Sequence, residues 1–404
     1  MNSKMYKPQK QLGIGDLVIS DRAKELVNQA LNNNRLSYGV LHKRLEEMFA
    51  KEHSVKYALF TNSGTSALQV ALASLKNKYS WQNGDEVIIP AATFVATANI
   101  VLSLRMRPVF VDVEPDTFNI NPGLIEKSIT PKTRCIIPVH LLGLPADMDP
   151  IISIAKKCNL KIIEDSCETM FATYKNRKVG SFGDIACFST YVAHFIVTGV
   201  GGFAVTNDSQ LYINMRSLIN HGRNSIYLTI DDDRGVDGPR LKEIVAKRFK
   251  FIQVGYSYRC TELEAALGIA QLEEKDFIVR KRRENAHYLT KNLKDLEKFL
   301  QLPCIPPDRE HAFMLYGLIL KKGSKERLVN YLEENLIETR DLLPLVNQPI
   351  YKKLFGEDLE EHFPVAKYLN NQAFYIGCHQ YFTKDDLRYI VKVFHDYFEK
   401  HEAS

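Results

Sequence analysis

Between Lys56 and about Thr206, short apolar runs rich in β-branched residues alternate with stretches whose apolar positions recur at helical spacing. The runs EVIIP (86–90), PVFVDV (108–113), CIIPVH (135–140) and KIIED (161–165) read as strands. Each is apolar along most of its length rather than in alternation, which marks strands covered on both faces. The segment therefore predicts a mostly parallel sheet with crossover helices, an α/β class of fold. Polar residues that close such strands stand at the sheet's carboxyl edge, where open α/β sheets bind ligands, and this singles out Asp165.

Further along, residues 224–250 mix Asp, Arg, Lys and Gly (DDDRGVDGPRLKE) and predict a solvated excursion rather than core. A helix follows from Thr261 through Leu272, with Thr261 as N-cap and Glu264 completing a capping box. A long Lys-, Glu- and Arg-rich helical stretch then leads into a region with its own strand and helix patterns. The expected division is a large unit over 1–274 and a smaller α+β unit over 275–404.

Composition narrows the function classes. At 404 residues with 45% apolar side chains, the chain can bury a large core. Its formal charge of +5 is small and its basic residues are interspersed with acids, so no nucleic-acid partner is expected. The seven cysteines form no CxxC or CxC pair and read as reduced thiols, with no metal site. The first residues lack an apolar signal core, and no apolar run approaches the roughly 18 to 20 residues of a membrane span. A cytoplasmic protein without a membrane partner is expected.

Four local signals carry candidate chemistry. In TNSGTSAL (61–68) a small-residue turn enters a helix, where free N–H groups of Ser63, Gly64 and Thr65 and the helix dipole would favour a phosphate; alone, it is more often a plain capped helix start. Asp165, with Glu168 three residues later, could keep a pyridine nitrogen protonated and so make the ring an electron sink, or could simply cap the next helix. In FSTYVAHFIVTGVGG (188–202), Ser189 could bind phosphate and His194 could face a ligand, although a lone histidine beside an apolar run is more often packed core. GYSYRCTELEAALG (255–268) by itself says only turn, then helix.

In this order, and with PAATFVATANIVL, PVFVDVEPDTFNI, PVHLLG and VGSFGDIACFS between them, these segments resemble the DegT/DnrJ/EryC1 family of pyridoxal-phosphate sugar aminotransferases and dehydratases. The resemblance spans nearly the whole chain. It implies fold type I, with a mostly parallel seven-stranded sheet and a smaller C-terminal α+β domain. Gly64, Thr65 and Ser189 match phosphate ligands, Phe94 the aromatic stacked on the ring, Asp165 the partner of the pyridine nitrogen, and Glu168 the residue near the ring hydroxyl. The family's GYN motif sends an asparagine into the neighbouring subunit's phosphate pocket; here Ser257 stands in its place. A homodimer with shared sites is implied.

Five residues after Ser189, where the aminotransferases carry lysine, this chain has His194. An imidazole has no primary amine, so the cofactor is expected non-covalently bound, most stably as pyridoxamine phosphate. The nearest lysines along the chain, Lys178 and Lys242, lie outside the motif. A histidine here resembles the sugar 3-dehydratases, which remove the C3 hydroxyl of nucleotide-linked 4-keto-6-deoxyhexoses. In that chemistry His194 moves the proton at the cofactor's C4′ carbon, and glutamate restores the amine form. No cysteine lies between His221 and Gly255, so the resemblance is to the type without an iron–sulfur cluster or its electron-transfer partner, that of GDP-4-keto-6-deoxymannose 3-dehydratase. Loops around Ser37, Tyr38, His221 and Arg223 are the expected substrate contacts. Two alternatives stay open: an aminotransferase without the Schiff-base lysine, and a non-catalytic sensor of cofactor or nucleotide sugar.

Overall fold

The structure is a computed structural model and describes residues 6–225, 228 and 232–402. Seven strands, β1 Tyr57–Thr61, β2 Glu86–Pro90, β3 Arg107–Val111, β4 Thr133–Ile136, β5 Lys161–Asp165, β6 Ile185–Ser189 and β7 Gly202–Thr206, form one sheet in the order β1-β7-β6-β5-β4-β2-β3. The pairs β2–β3, β2–β4, β4–β5 and β5–β6 are parallel. Strand β7 runs antiparallel to both its neighbours. Every residue of β2, β6 and β7 is buried, which is why these segments carry apolar runs without alternation.

Two strands end earlier than their apolar runs. Beyond Ile136 the chain meets Pro138, which has no N–H for a ladder bond, and the run to His140 continues as extended backbone beside Asp165: Asp165 N–H donates to the Pro138 carbonyl (2.9 Å) and His140 N–H to that of Asp165 (3.0 Å). Strand β3 likewise stops at Val111, and the Asp112 carboxylate accepts from the amides of Val365 and Ala366, both at 2.9 Å.

A second, four-stranded antiparallel sheet is built from β8 Leu300–Gln301, β9 Tyr316–Leu320, β10 Thr339–Asp341 and β11 Ala373–Ile376, ordered β8-β9-β11-β10. With residues of the helices Lys275–Asn292, Lys325–Glu334 and Lys384–Glu402 it encloses its own apolar core. The two halves interlock. Leu12 belongs to the second core, bridged to Ile337, while Leu342, Leu345, Tyr351 and Leu369 return to the core of the large sheet.

The capping box is present: Thr261 caps the helix Glu262–Glu273, its hydroxyl accepting from Leu263 N–H (3.2 Å) while Glu264 accepts from Thr261 N–H (2.8 Å). Among the described residues the excursion is solvated, as expected, but it is not all loop. It contains the helix Gly238–Lys247, which has a proline in its first turn and buries Ile244. One apolar contact and a proline-set first turn suffice for a helix in a polar stretch. Residues 226–227 and 229–231 of that excursion lie outside the described ones.

Candidate active site

The carboxyl ends of the parallel strands, the start of the helix Gly64–Lys78 and three segments of the second half enclose a cavity of about 400 Å³. Gly64, Thr65, Phe94, Asp165, Glu168, Ser189 and His194, from four separate stretches of sequence, all line it.

Ser63 caps the helix Gly64–Lys78, its hydroxyl accepting from Ser66 N–H at 3.0 Å. The first amides of a helix have no partner within it, so those of Gly64 and Thr65 are free to serve an anion. Gly64 is required by closeness: a Cβ there would stand 2.8 Å from Ser189 Cβ and 2.9 Å from Cys167 Sγ. The helix start is thereby drawn against the end of β6, which places Ser189 beside the same amides.

Asp165 closes β5 and is buried. Its carboxylate accepts from the Thr97 hydroxyl (2.8 Å) and from Cys167 N–H (3.2 Å). Burial pushes its pKa up, against these two bonds, and among the described residues no cation forms an ion pair with it. Glu168 is raised further, to about 7, by burial and by the nearby Asp165 charge, although it accepts from Leu142 N–H at 2.8 Å. Phe94, on the turn before the helix Ala96–Ser103, keeps 56% of its surface exposed although its ring is wholly apolar.

His194 sits half-buried on a tight turn after β6, its amide donating to the Tyr191 carbonyl (2.9 Å). The imidazole Nδ1 lies 3.3 Å from the same carbonyl. A carbonyl can only accept, so this bond assigns the proton to Nδ1 and leaves the lone pair on Nε2. Desolvation, with the positive charge of Arg282, lowers its pKa to about 4, so the ring is neutral at physiological pH. Among the described residues lining the cavity there is no lysine. Lys178 instead reaches the Glu52 carbonyl, and Lys242 lies on the helix Gly238–Lys247.

Ser257, Ser37, Tyr38 and Arg223 do not join this cavity. They line another, of about 500 Å³, with His42, Arg216 and Arg259. His221 stands at its margin, its Nε2 3.3 Å from the Arg259 guanidinium, which also donates to Ser257 Oγ at 2.9 Å. Sequence reasoning passed over Thr97, Cys167, Met314, Tyr375 and Arg282, all of which line the first cavity or brace it. Thr97 lies within PAATFVATANIVL, one helical turn after Phe94, and Cys167 between Asp165 and Glu168, so spacing could have suggested both; Met314, Tyr375 and Arg282 stand in none of the quoted motifs.

No group of three or more His, Cys, Asp or Glu among the described residues could hold a metal ion, and no helix among them is long and apolar enough to cross a membrane.

A mostly parallel sheet with this cavity at its carboxyl edge is the frame of the fold type I transferases, and residues 18–395 match the DegT/DnrJ/EryC1/StrS aminotransferase family. The chain belongs to that family. It is 32% identical over 383 residues to GDP-perosamine synthase of Escherichia coli O157:H7, covering 94% of this chain and 96% of that one. It is 30% identical over 380 residues to GDP-4-keto-6-deoxy-D-mannose 3-dehydratase of Escherichia coli O55:H7, covering 91% and 95%. The solved structure of an E. coli GDP-4-keto-6-deoxy-D-mannose-3-dehydratase with bound hydrated PLP superposes with a TM-score of 0.86 at 28% identity, over 96% of this chain and all of that one.

Proposed function

We propose that this chain is a pyridoxal/pyridoxamine phosphate-dependent 3-dehydratase of a nucleotide-linked 4-keto-6-deoxyhexose, GDP-4-keto-6-deoxymannose being the first candidate, with glutamate as amino donor. The observation that carries it is a cavity presenting a neutral imidazole, His194, and no lysine.

The cavity fits the cofactor. Asp165 is a buried carboxylate without an ion-paired cation, and a protonated ring nitrogen would complete it. The amides of Gly64 and Thr65, with Ser189, would hold the phosphate, and Phe94 offers an exposed aromatic face for a flat ring. When bound, the cofactor supplies a ring that takes up the electron pair left behind when a proton is removed from carbon. The rest falls to the protein. Asp165, kept in place by Thr97 and Cys167, holds the nitrogen end. His194 accepts a proton on Nε2 and returns it, while its Nδ1–H stays on the Tyr191 carbonyl, so the ring keeps one orientation through both transfers. Glu168, raised to about 7, can sit protonated or ionised near neutrality beside the ring's polar edge.

Ser257, Ser37, Tyr38 and Arg223 line their own cavity, and we propose that this surface completes the site of a second copy in a homodimer.

The test is mass spectrometry of products after incubation with glutamate and a panel of GDP-, CDP- and dTDP-linked 4-keto-6-deoxy sugars. Loss of the C3 oxygen with a free ketone identifies the dehydratase. A product that keeps the C3 oxygen and gains nitrogen identifies an aminotransferase, the reading favoured by the 32% identity to GDP-perosamine synthase. Cofactor binding without turnover of any sugar identifies a sensor.

A further inference from the structure

Arg282, on the helix Lys275–Asn292, is 1% exposed and forms no ion pair with a carboxylate among the described residues. Each of its three nitrogens donates one hydrogen bond. Nε donates to Gln380 Oε1 (3.0 Å), Nη1 to the Met314 carbonyl (2.7 Å) and Nη2 to the His194 carbonyl (3.3 Å), while Cζ lies 5.0 Å from the Phe195 ring centroid. These acceptors belong to three segments: the turn that carries His194, the stretch of Met314 and Leu315 on the cavity wall, and the loop after β11. A buried charge without a counter-ion costs stability, and a hydrophobic side chain of like volume is often no worse there. Such a group has to be accounted for by what it holds. Burial lowers its pKa to about 10, so it is still a cation at neutral pH.

We propose that Arg282 is the positioning residue of the His194 turn: its rigid fork ties that turn to the opposite cavity wall and fixes where the imidazole stands. Lysine cannot reproduce this, because one ammonium cannot present three coplanar donors to three separate segments. The amide of His194 is fixed by Tyr191 and its carbonyl by Arg282, so the residue is gripped at both ends of its own backbone. The positive charge also disfavours a second cation on the imidazole. The other titratable groups lining the cavity are Tyr191, Asp165, Cys167, Glu168 and Tyr375. The effect on turnover rests on the proposed reaction; the effect on the imidazole does not.

The test uses the full chain with ¹⁵N-labelled histidine and two variants, Arg282→Met and Arg282→Lys. In the cofactor-free protein the His194 ring and backbone resonances should shift or broaden in both variants, because the Arg282 Nη2 bond to the His194 carbonyl is lost or displaced. In the loaded protein, the glutamate half-reaction followed by cofactor absorbance should slow by about 10- to 100-fold in both variants, with cofactor affinity within roughly threefold, because the misplaced group acts on the proton transfer and not on binding. Unchanged His194 resonances in Arg282→Met, or a parental half-reaction rate in Arg282→Lys, overturns the proposal. Should Arg282→Met not fold, the rate in Arg282→Lys decides alone. Altered His194 resonances in a protein that shows no glutamate half-reaction uphold the hold on His194 and remove the reaction assigned to it.

Discussion

Lysine and histidine offer an aldehyde-bearing cofactor different chemistry, because only the amine can bond to it. If residue 194 points at the reacting carbon, His194→Lys should give a protein in which borohydride fixes the cofactor to residue 194, found by peptide mass mapping, whereas the parent releases its cofactor on denaturation. Loss of the C3 hydroxyl should fall steeply in the same variant. A parent already linked through another lysine, or a His194→Asn variant that dehydrates at the parental rate, removes His194 from the role of base. Glu168 permits a test that needs no substrate. Its folded pKa of about 7 lies above the ordinary 4.5, so the stability it contributes is full below about pH 4.5 and is lost as pH rises towards 7. In the cofactor-free protein, Glu168→Gln should match the parent near pH 4.5 and exceed it by on the order of 3 kcal/mol at pH 8. Urea unfolding at both pH values measures this, and a difference independent of pH would show that Glu168 titrates normally.

At the scale of elements, one buried pair joins three pieces of the large half. Glu46, on the helix Val40–Glu52, accepts from Phe60 N–H of β1 (2.8 Å) and from the Arg216 guanidinium of the helix Ser209–Ile219 (2.6 Å). The Arg216 charge, with His42 Nε2 3.5 Å away and the amide of Phe60, holds the Glu46 carboxyl down at about 2 in spite of its burial. Arg216→Met would leave that carboxylate buried with too few donors and should cost roughly 3–5 kcal/mol, with part regained in the double variant carrying Glu46→Gln as well. A single variant that loses less than about 1 kcal/mol would show that the carboxylate finds water instead. The sequence disclosed none of this, because Glu46 and Arg216 sit 170 positions apart on helices whose patterns look ordinary. What it did disclose was local. KIIED and EVIIP coincide with β5 and β2, since full burial on both faces writes itself as an apolar run, and Thr261 with Glu264 marks a helix start within four residues. CIIPVH overran its strand because periodicity alone does not stop at a proline that still fits extended backbone. Asp165, Phe94 and His194 were legible through their motifs; Thr97 and Arg282 act across the fold, and their contacts exist only once it has formed.

At the scale of the molecule, the residues expected around one cofactor divide between two places on the chain. Seven line the cavity at the sheet edge; Ser257, with Ser37, Tyr38 and Arg223, lines the other. A single copy would therefore leave the phosphate without the turn that carries Ser257, and a two-fold dimer would return it from the neighbour, giving two composite sites. Complementation tests this directly. His194→Asn disables the site on its own chain, whereas Ser257→Asp, which sets a negative charge against the phosphate, would disable the site on the neighbour's. Each homodimer should then be inactive. Co-expressed chains that pair at random form hybrids in about half of the dimers; in each hybrid one site combines an intact His194 with an intact Ser257, and the mixture should recover about a quarter of the parental activity. Cofactor bound per chain should fall only to about half, because a site loses cofactor only where its neighbour carries Ser257→Asp. If sedimentation shows a monomer that still binds cofactor at micromolar concentration, or if Ser257→Asp disables its own chain so that mixing restores nothing, Ser257 serves the chain that carries it and the composite site is lost.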